Sequence, residues 1–172
     1  GKKNIFETDL FDGVIKRMGG EGSRSQRIVV DHMSEIVFLI GDGVVTGNKD
    51  RGYILRRLLR RVASHFLKGH AVLHQRFTAG NQPPVIATRR SIASHIIDEY
   101  GRIEQYGYLL DRKEMILSVI EEEYNKFDSA LRKGLHELEK LDTIDAQRAF
   151  WLYESFGLPY EVVKDFRPNA DV

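Results

Sequence analysis

Apolar residues recur at intervals of three and four along most of this chain, the spacing that gathers them on one face of a helix. Residues 7–18 form a short first segment, with acids at its start, bases at its end and Gly19-Gly20 behind it as a stop. Residues 19–25 read as a flexible connection. Residues 26–40 are the most apolar part: Ile28, Val29, Met33, Ile36, Val37 and Ile40 make one stripe, widened by Phe38 and Leu39. That helix is expected to be central. A Gly-rich loop (Gly41, Gly43, Gly47, Gly52) then hands over to a helix ending near Lys68-Gly69, with Leu55, Leu58, Leu59, Val62 and Phe66 in one stripe. After an irregular stretch, 70–84, closed by Pro83-Pro84, a helix over 85–100 turns Ile86, Ile92, Ala93, Ile96 and Ile97 inward. The longest element covers about 111–141. Leu117, Tyr124, Leu131 and Leu138 share one heptad position and Ile120, Phe127, Gly134 and Leu141 another, a coiled-coil-like seam roughly 45 Å long. A helix over 145–156, stopped by Gly157 and Pro159, precedes a last turn over 161–166. No strand-like alternation interrupts this, and Val44-Val45 makes at most a short extended piece.

The pattern predicts an all-α fold: a helical bundle with one long helix packed against several shorter ones. A single domain over 1–172 is expected, with 1–25 a junction, 26–166 the helical core and 167–172 a polar tail. With 172 residues, 42% apolar and 30% charged, the chain is large enough for one well-packed core. The absence of cysteine excludes disulfides and thiolate metal sites and fits a reducing compartment. The longest apolar run, Ile36 to Ile40, is far too short to span a bilayer. Gly1-Lys-Lys-Asn leads into acidic residues, so no secretory leader is expected. A Gly in place of an initiating Met marks the chain as a candidate piece of something longer.

Charge changes the picture only locally. The net charge is +1, yet residues 51–61 hold Arg51, Arg56, Arg57, Arg60 and Arg61 without an acid, while 114–123 hold Glu114, Glu121, Glu122 and Glu123 without a base. Arg56, Arg57, Arg60 and Arg61 fall opposite the apolar stripe of their helix, with no acid three or four residues away to neutralise them. Such a row of guanidinium forks suits phosphate. The competing reading is a solvated face whose arginines pair with acids of another helix, such as Glu121 to Glu123. Asn48 reads as a turn residue tolerant of left-handed geometry, and Tyr53 either stacks on a ribose or plugs the core. His32, beside Asp31, lacks further ligands at metal-site spacing and reads as structural; His70 and His74 read as solvent-exposed.

Several stretches resemble one family. Asp-Gly-Val-Val-Thr-Gly-Asn-Lys-Asp-Arg-Gly-Tyr-Ile-Leu-Arg-Arg-Leu-Leu-Arg-Arg (42–61) resembles a long, specific signature of alanyl-tRNA synthetases. Val30-Asp31-His32 looks like that family's Ala-Asp-His segment, and Glu7-Thr-Asp-Leu-Phe11 like the stretch after its third class II motif. Phe150 to Pro159 resembles its Leu-Tyr-Asp-Thr-Tyr-Gly-Phe-Pro segment. The resemblance implies the helical tRNA-recognition domain between the class II catalytic domain and the editing domain. In the family this domain reads a G·U wobble pair in the acceptor stem of tRNA(Ala) and orients the 3′ end. By the same resemblance, Asn48 and Glu154 would be base readers. Glu154 stands where the family has Asp, which keeps the charge and adds a methylene. Arg51, Arg56, Arg57, Arg60, Arg61 and Lys49 would hold the RNA backbone, with Asp50 and Tyr53 as further candidates. The motifs for ATP and alanine, and the zinc-binding editing domain, are not in these residues. No catalytic residue, metal or cofactor is therefore expected in this chain, ATP and Mg2+ belonging to the parent's catalytic domain. The implied partners are the tRNA(Ala) acceptor stem and the parent's catalytic and editing domains, with no membrane and a cytoplasmic location. The alternative is a helical protein-interaction module with a basic surface.

Overall fold

The structure, a computed structural model, describes residues 9–18, 22–67, 84–158 and 160–167. Among them it forms α1 (Asp9–Arg17), α2 (Arg24–Gly41), α3 (Asp50–Leu67) and α4 (Pro84–Gly101). A 3-10 turn (Glu104–Tyr106) follows, then α5 (Tyr108–Asp111), α6 (Lys113–Glu139), α7 (Ala146–Phe156) and α8 (Tyr160–Phe166). No strand occurs among the described residues, and no helix there is long and apolar enough to cross a membrane. The all-α expectation holds, with α6 the longest element.

Boundaries moved where capping chemistry intervened. The helix expected from Gln26 begins at Arg24, because Ser23 and Gln26 form a capping box. The Ser23 Oγ accepts from the Gln26 N–H at 3.3 Å, and the Gln26 Oε1 accepts from the Ser23 N–H at 2.8 Å. The long helix starts at Lys113 rather than near 111, since Asp111 closes α5 and Arg112 caps it. The expected start of α1 at residue 7, the helix end near Lys68-Gly69 and the stretch with His70 and His74 lie outside the described residues.

The chain forms two compact units, Gly1–His65 with Pro84–Glu123, and Phe66–Pro83 with Tyr124–Val172. In the first, α2 carries the centre as its periodicity requires: Val29, Val30, Met33, Ile36, Val37 and Ile40 are all buried. Leu55, Leu59 and Val62 of α3, Ile92, Ile96 and Ile97 of α4, and Ile116, Leu117 and Ile120 of α6 complete that core. The C-terminus of α2 is fixed by side chains. The Arg112 Nη1 donates to the Gly41 carbonyl, and the Tyr108 hydroxyl donates to Asp42 at 2.7 Å. Burial, then that hydrogen bond, pushes the Tyr108 phenol up to about 12, so it remains a donor throughout the physiological range. Arg90 of α4 grips Glu121 at 2.8 Å and Glu114 at 3.0 Å on α6. The loop after α2 therefore leaves from a fixed point.

In the second unit the seam of α6 continues through Tyr124, Phe127, Leu131, Leu135 and Leu138. At Gly134 an added Cβ would lie 2.8 Å from the Phe156 Cβ, so the small residue in the heptad lets α7 approach closely. Asp145 caps α7 by accepting from the Arg148 N–H at 2.8 Å, and Gly157 ends it in a left-handed conformation.

Candidate nucleic-acid interface

The 42–61 segment is built around a backbone contact. A Cβ at Gly52, in the first turn of α3, would lie 2.8 Å from the Gly47 nitrogen and closer still to the Val45 carbonyl. The loop can fold over the start of α3 only because that position has no side chain. The turn into the helix is made by Asp50, whose φ is 50°, and the Tyr53 N–H closes onto the Lys49 carbonyl at 3.0 Å. Apart from Gly43, the left-handed residue of this loop is thus Asp50 and not Asn48. Short polar side chains tolerate that geometry, whereas a β-branched one does not. Asp50→Asn is expected to unfold at nearly the wild-type urea concentration, and Asp50→Val to lose about 1–2 kcal/mol. Equal midpoints for the two would remove the strain assignment.

Along α3 the apolar stripe expected from the sequence is inward, with Leu55, Leu59 and Val62 buried and Leu58 and Phe66 half-buried. Arg51, Arg57, Arg60 and Arg61 are exposed, as are Lys49, Asp50 and Tyr53. Among the described residues, Arg57, Arg60 and Arg61 have no carboxylate partner. Three guanidiniums on one exposed face, uncompensated, make a local positive field suited to a polyanion. Tyr53 is half exposed, so it does not plug the core.

Arg56 departs from its neighbours. Only 30% exposed, it lies with its Nε 3.8 Å from Glu123 of α6, whose side chain is 10% exposed. Its Nη1 donates to the Asn48 Oδ1. The Thr46 hydroxyl donates to the same Glu123 carboxylate at 3.0 Å. At about 100° per residue Arg56 sits at the edge of the exposed arc, within reach of α6. Among the described residues, this arginine alone of the four pairs with an acid of another helix. Thr46 and Glu123 carried no individual assignment from the sequence; the glutamate run 121–123 was its only signal.

Glu154 belongs to the second unit, exposed on α7. Phe150 and Tyr153 on that helix are 58% and 59% exposed, and Trp151 is exposed too. Their positions off the buried Ala149–Leu152 stripe are readable from helical spacing alone. His32 is a mostly buried histidine, with its Nδ1 3.5 Å from Asp31 on its own helix. No group of three or more potential metal ligands occurs among the described residues.

Comparison with known proteins places the sequence. The sequence model of the family "tRNA synthetases class II (A)" matches residues 2–172. The alanine–tRNA ligase of Rhizobium johnstonii is 32% identical over 178 residues, 96% of this chain and 18% of that protein. The corresponding ligases of Streptococcus sanguinis and Thermotoga maritima are 30% and 31% identical, each over 100% of this chain and 20% of the relative. The chain thus spans about one fifth of the length of these relatives. A match along nearly every residue leaves one conclusion: the chain belongs to the class II (A) tRNA synthetases, as an alanyl-tRNA synthetase-related region of that family.

Proposed function

We propose that this chain is the part of an alanine–tRNA ligase that grips the acceptor stem of tRNA(Ala) and reads its G·U wobble pair. The observation that carries the reading is the exposed row Arg57, Arg60 and Arg61, without carboxylate partners among the described residues, beside a loop that presents Asn48 at the surface. The arginines, with Arg51 and Lys49, would bind phosphates and set register without reading sequence. A wobble pair displaces guanine so that its exocyclic amine is offered unusually in the minor groove, which in RNA is wide and shallow enough for side chains. An Asn oxygen carries two lone pairs, so Asn48 retains one for that amine while accepting from Arg56. Glu154 would be a second acceptor, its flanking aromatics offering faces to sugar or base. The two compact units would serve as one recognition domain.

Alanylation itself, with ATP and Mg2+, would be carried out by a catalytic domain outside this chain, and editing by another, in the cytoplasm.

Gel-shift titration with an acceptor-stem hairpin tests the reading. Wild type should prefer the G·U hairpin over its G·C counterpart by about tenfold, and Asn48→Ala should lose most of that preference with an unchanged salt slope. If exchanging G·U for G·C alters the affinity of neither protein, base readout by this chain is refuted. The exposed Phe150, Trp151 and Tyr153 favour a second reading, in which α7 docks on protein. That reading requires amide resonances of 47–61 to stay unmoved on addition of the hairpin.

A further inference from the structure

We infer that Arg56 is a positioning residue that orients Asn48 from beneath, held in turn by Glu123, rather than one of the phosphate-binding arginines. The inference rests on the proposed base-reading role of Asn48 for its consequence, but on geometry alone for its mechanism. Arg56 differs from Arg57, Arg60 and Arg61 in being half-buried and committed on both sides of its guanidinium. Its Nε faces Glu123 at 3.8 Å, and its Nη1 donates to Asn48. Glu123 also accepts from Thr46 at 3.0 Å, so one carboxylate ties together the loop before Asn48 and the arginine behind it. Both loop and α3 are thereby anchored to α6.

A guanidinium has donors only. The Asn48 atom facing Arg56 must therefore be the amide oxygen, and the NH2 group must point away from it. An unsupported surface Asn flips between its two amide orientations and presents donor or acceptor at random. With Arg56 behind it, Asn48 offers a fixed pair, an NH2 donor and the free lone pair of its oxygen, at adjacent positions. Each can meet its own partner on a base edge or a 2′-hydroxyl without first losing rotamer freedom on binding. A lysine at 56 would keep the charge but lose the fork, since one ammonium on a flexible stem does not reproduce the planar bridge between a carboxylate and an amide.

The experiment has an arm without RNA and an arm with it. In the free protein, side-chain 15N relaxation compares Asn48 with Asn125, an exposed Asn on α6. The Asn48 amide group is expected to be the more ordered in wild type, and to become as mobile as Asn125 in both Arg56→Lys and Glu123→Gln. Equal mobility of the two in wild type, or an Asn48 unmoved by both variants, overturns the positioning role whatever happens with RNA. In the second arm, Arg56→Lys should lose the roughly tenfold G·U preference to the level of Asn48→Ala, with the salt slope of wild type. A full G·U preference in Arg56→Lys, or in Glu123→Gln should the lysine variant fail to fold, also overturns the inference. Loss of order in the first arm with no G·U preference in wild type instead condemns the base-reading function and leaves the anchor standing.

Discussion

Gly52→Ala will destabilise the protein and dislodge the loop that carries Asn48. On helix propensity alone the substitution should help, by up to about 1 kcal/mol. The steric term runs the other way. The new methyl would meet the Gly47 nitrogen at 2.8 Å and the Val45 carbonyl closer still, and both are backbone atoms that no rotamer change can move aside. Overpacking of this kind costs about 1–3 kcal/mol, so the net effect is a loss. Loop and helix must separate to relieve it, breaking the arrangement of Thr46, Arg56 and Asn48 around Glu123. Urea unfolding should show a lower midpoint at unchanged slope, and the G·U preference should fall with it. A midpoint above wild type would mean that the loop does not rest on α3 as described.

The second large effect concerns affinity. Replacing Arg57, Arg60 and Arg61 together by Gln removes exposed charges that have no carboxylate partner among the described residues, and touches no buried group. Each phosphate contact contributes roughly 0.7–0.9 to the slope of log affinity against log salt, so the slope should flatten by about 2–3 units. Affinity near physiological salt should drop more than about tenfold, equally for G·U and G·C hairpins, while stability stays within about 0.5 kcal/mol of wild type. An unaltered slope would mean that these arginines do not touch phosphate. Set beside Arg56→Lys, which should change preference and spare the slope, the pair of experiments separates grip from reading within one helix.

Much of this was legible in the chain. Three-and-four spacing located the core of α2, and the heptad positions of Leu117, Tyr124, Leu131 and Leu138 located the buried seam of α6, because a helix with one wide apolar face has only one way to bury it. The capping box of α2 was also present as Ser23 and Gln26, three residues apart, and sets the true start two residues before the Gln26 expected from periodicity. Periodicity reports burial and carries no information about caps. The exposure of Arg57, Arg60 and Arg61 followed directly from the inward direction of Leu55, Leu59 and Val62.

The sequence by itself determined the helices, the buried faces and the basic face of α3, since these depend on residues within a few turns of one another. It also carried, in 42–61, the resemblance to the family that the match over residues 2–172 bears out. Only the tertiary structure decided which arginine leaves that face. Arg56 stands near Glu123 because α3 and α6 come together in the folded unit, a contact between residues far apart in the chain that local spacing does not encode. The same holds for the left-handed turn at Asp50. Asn48 and Asp50 are chemically equal candidates for it, and the choice falls to Asp50 where the chain must turn into α3 with the loop resting against Gly52.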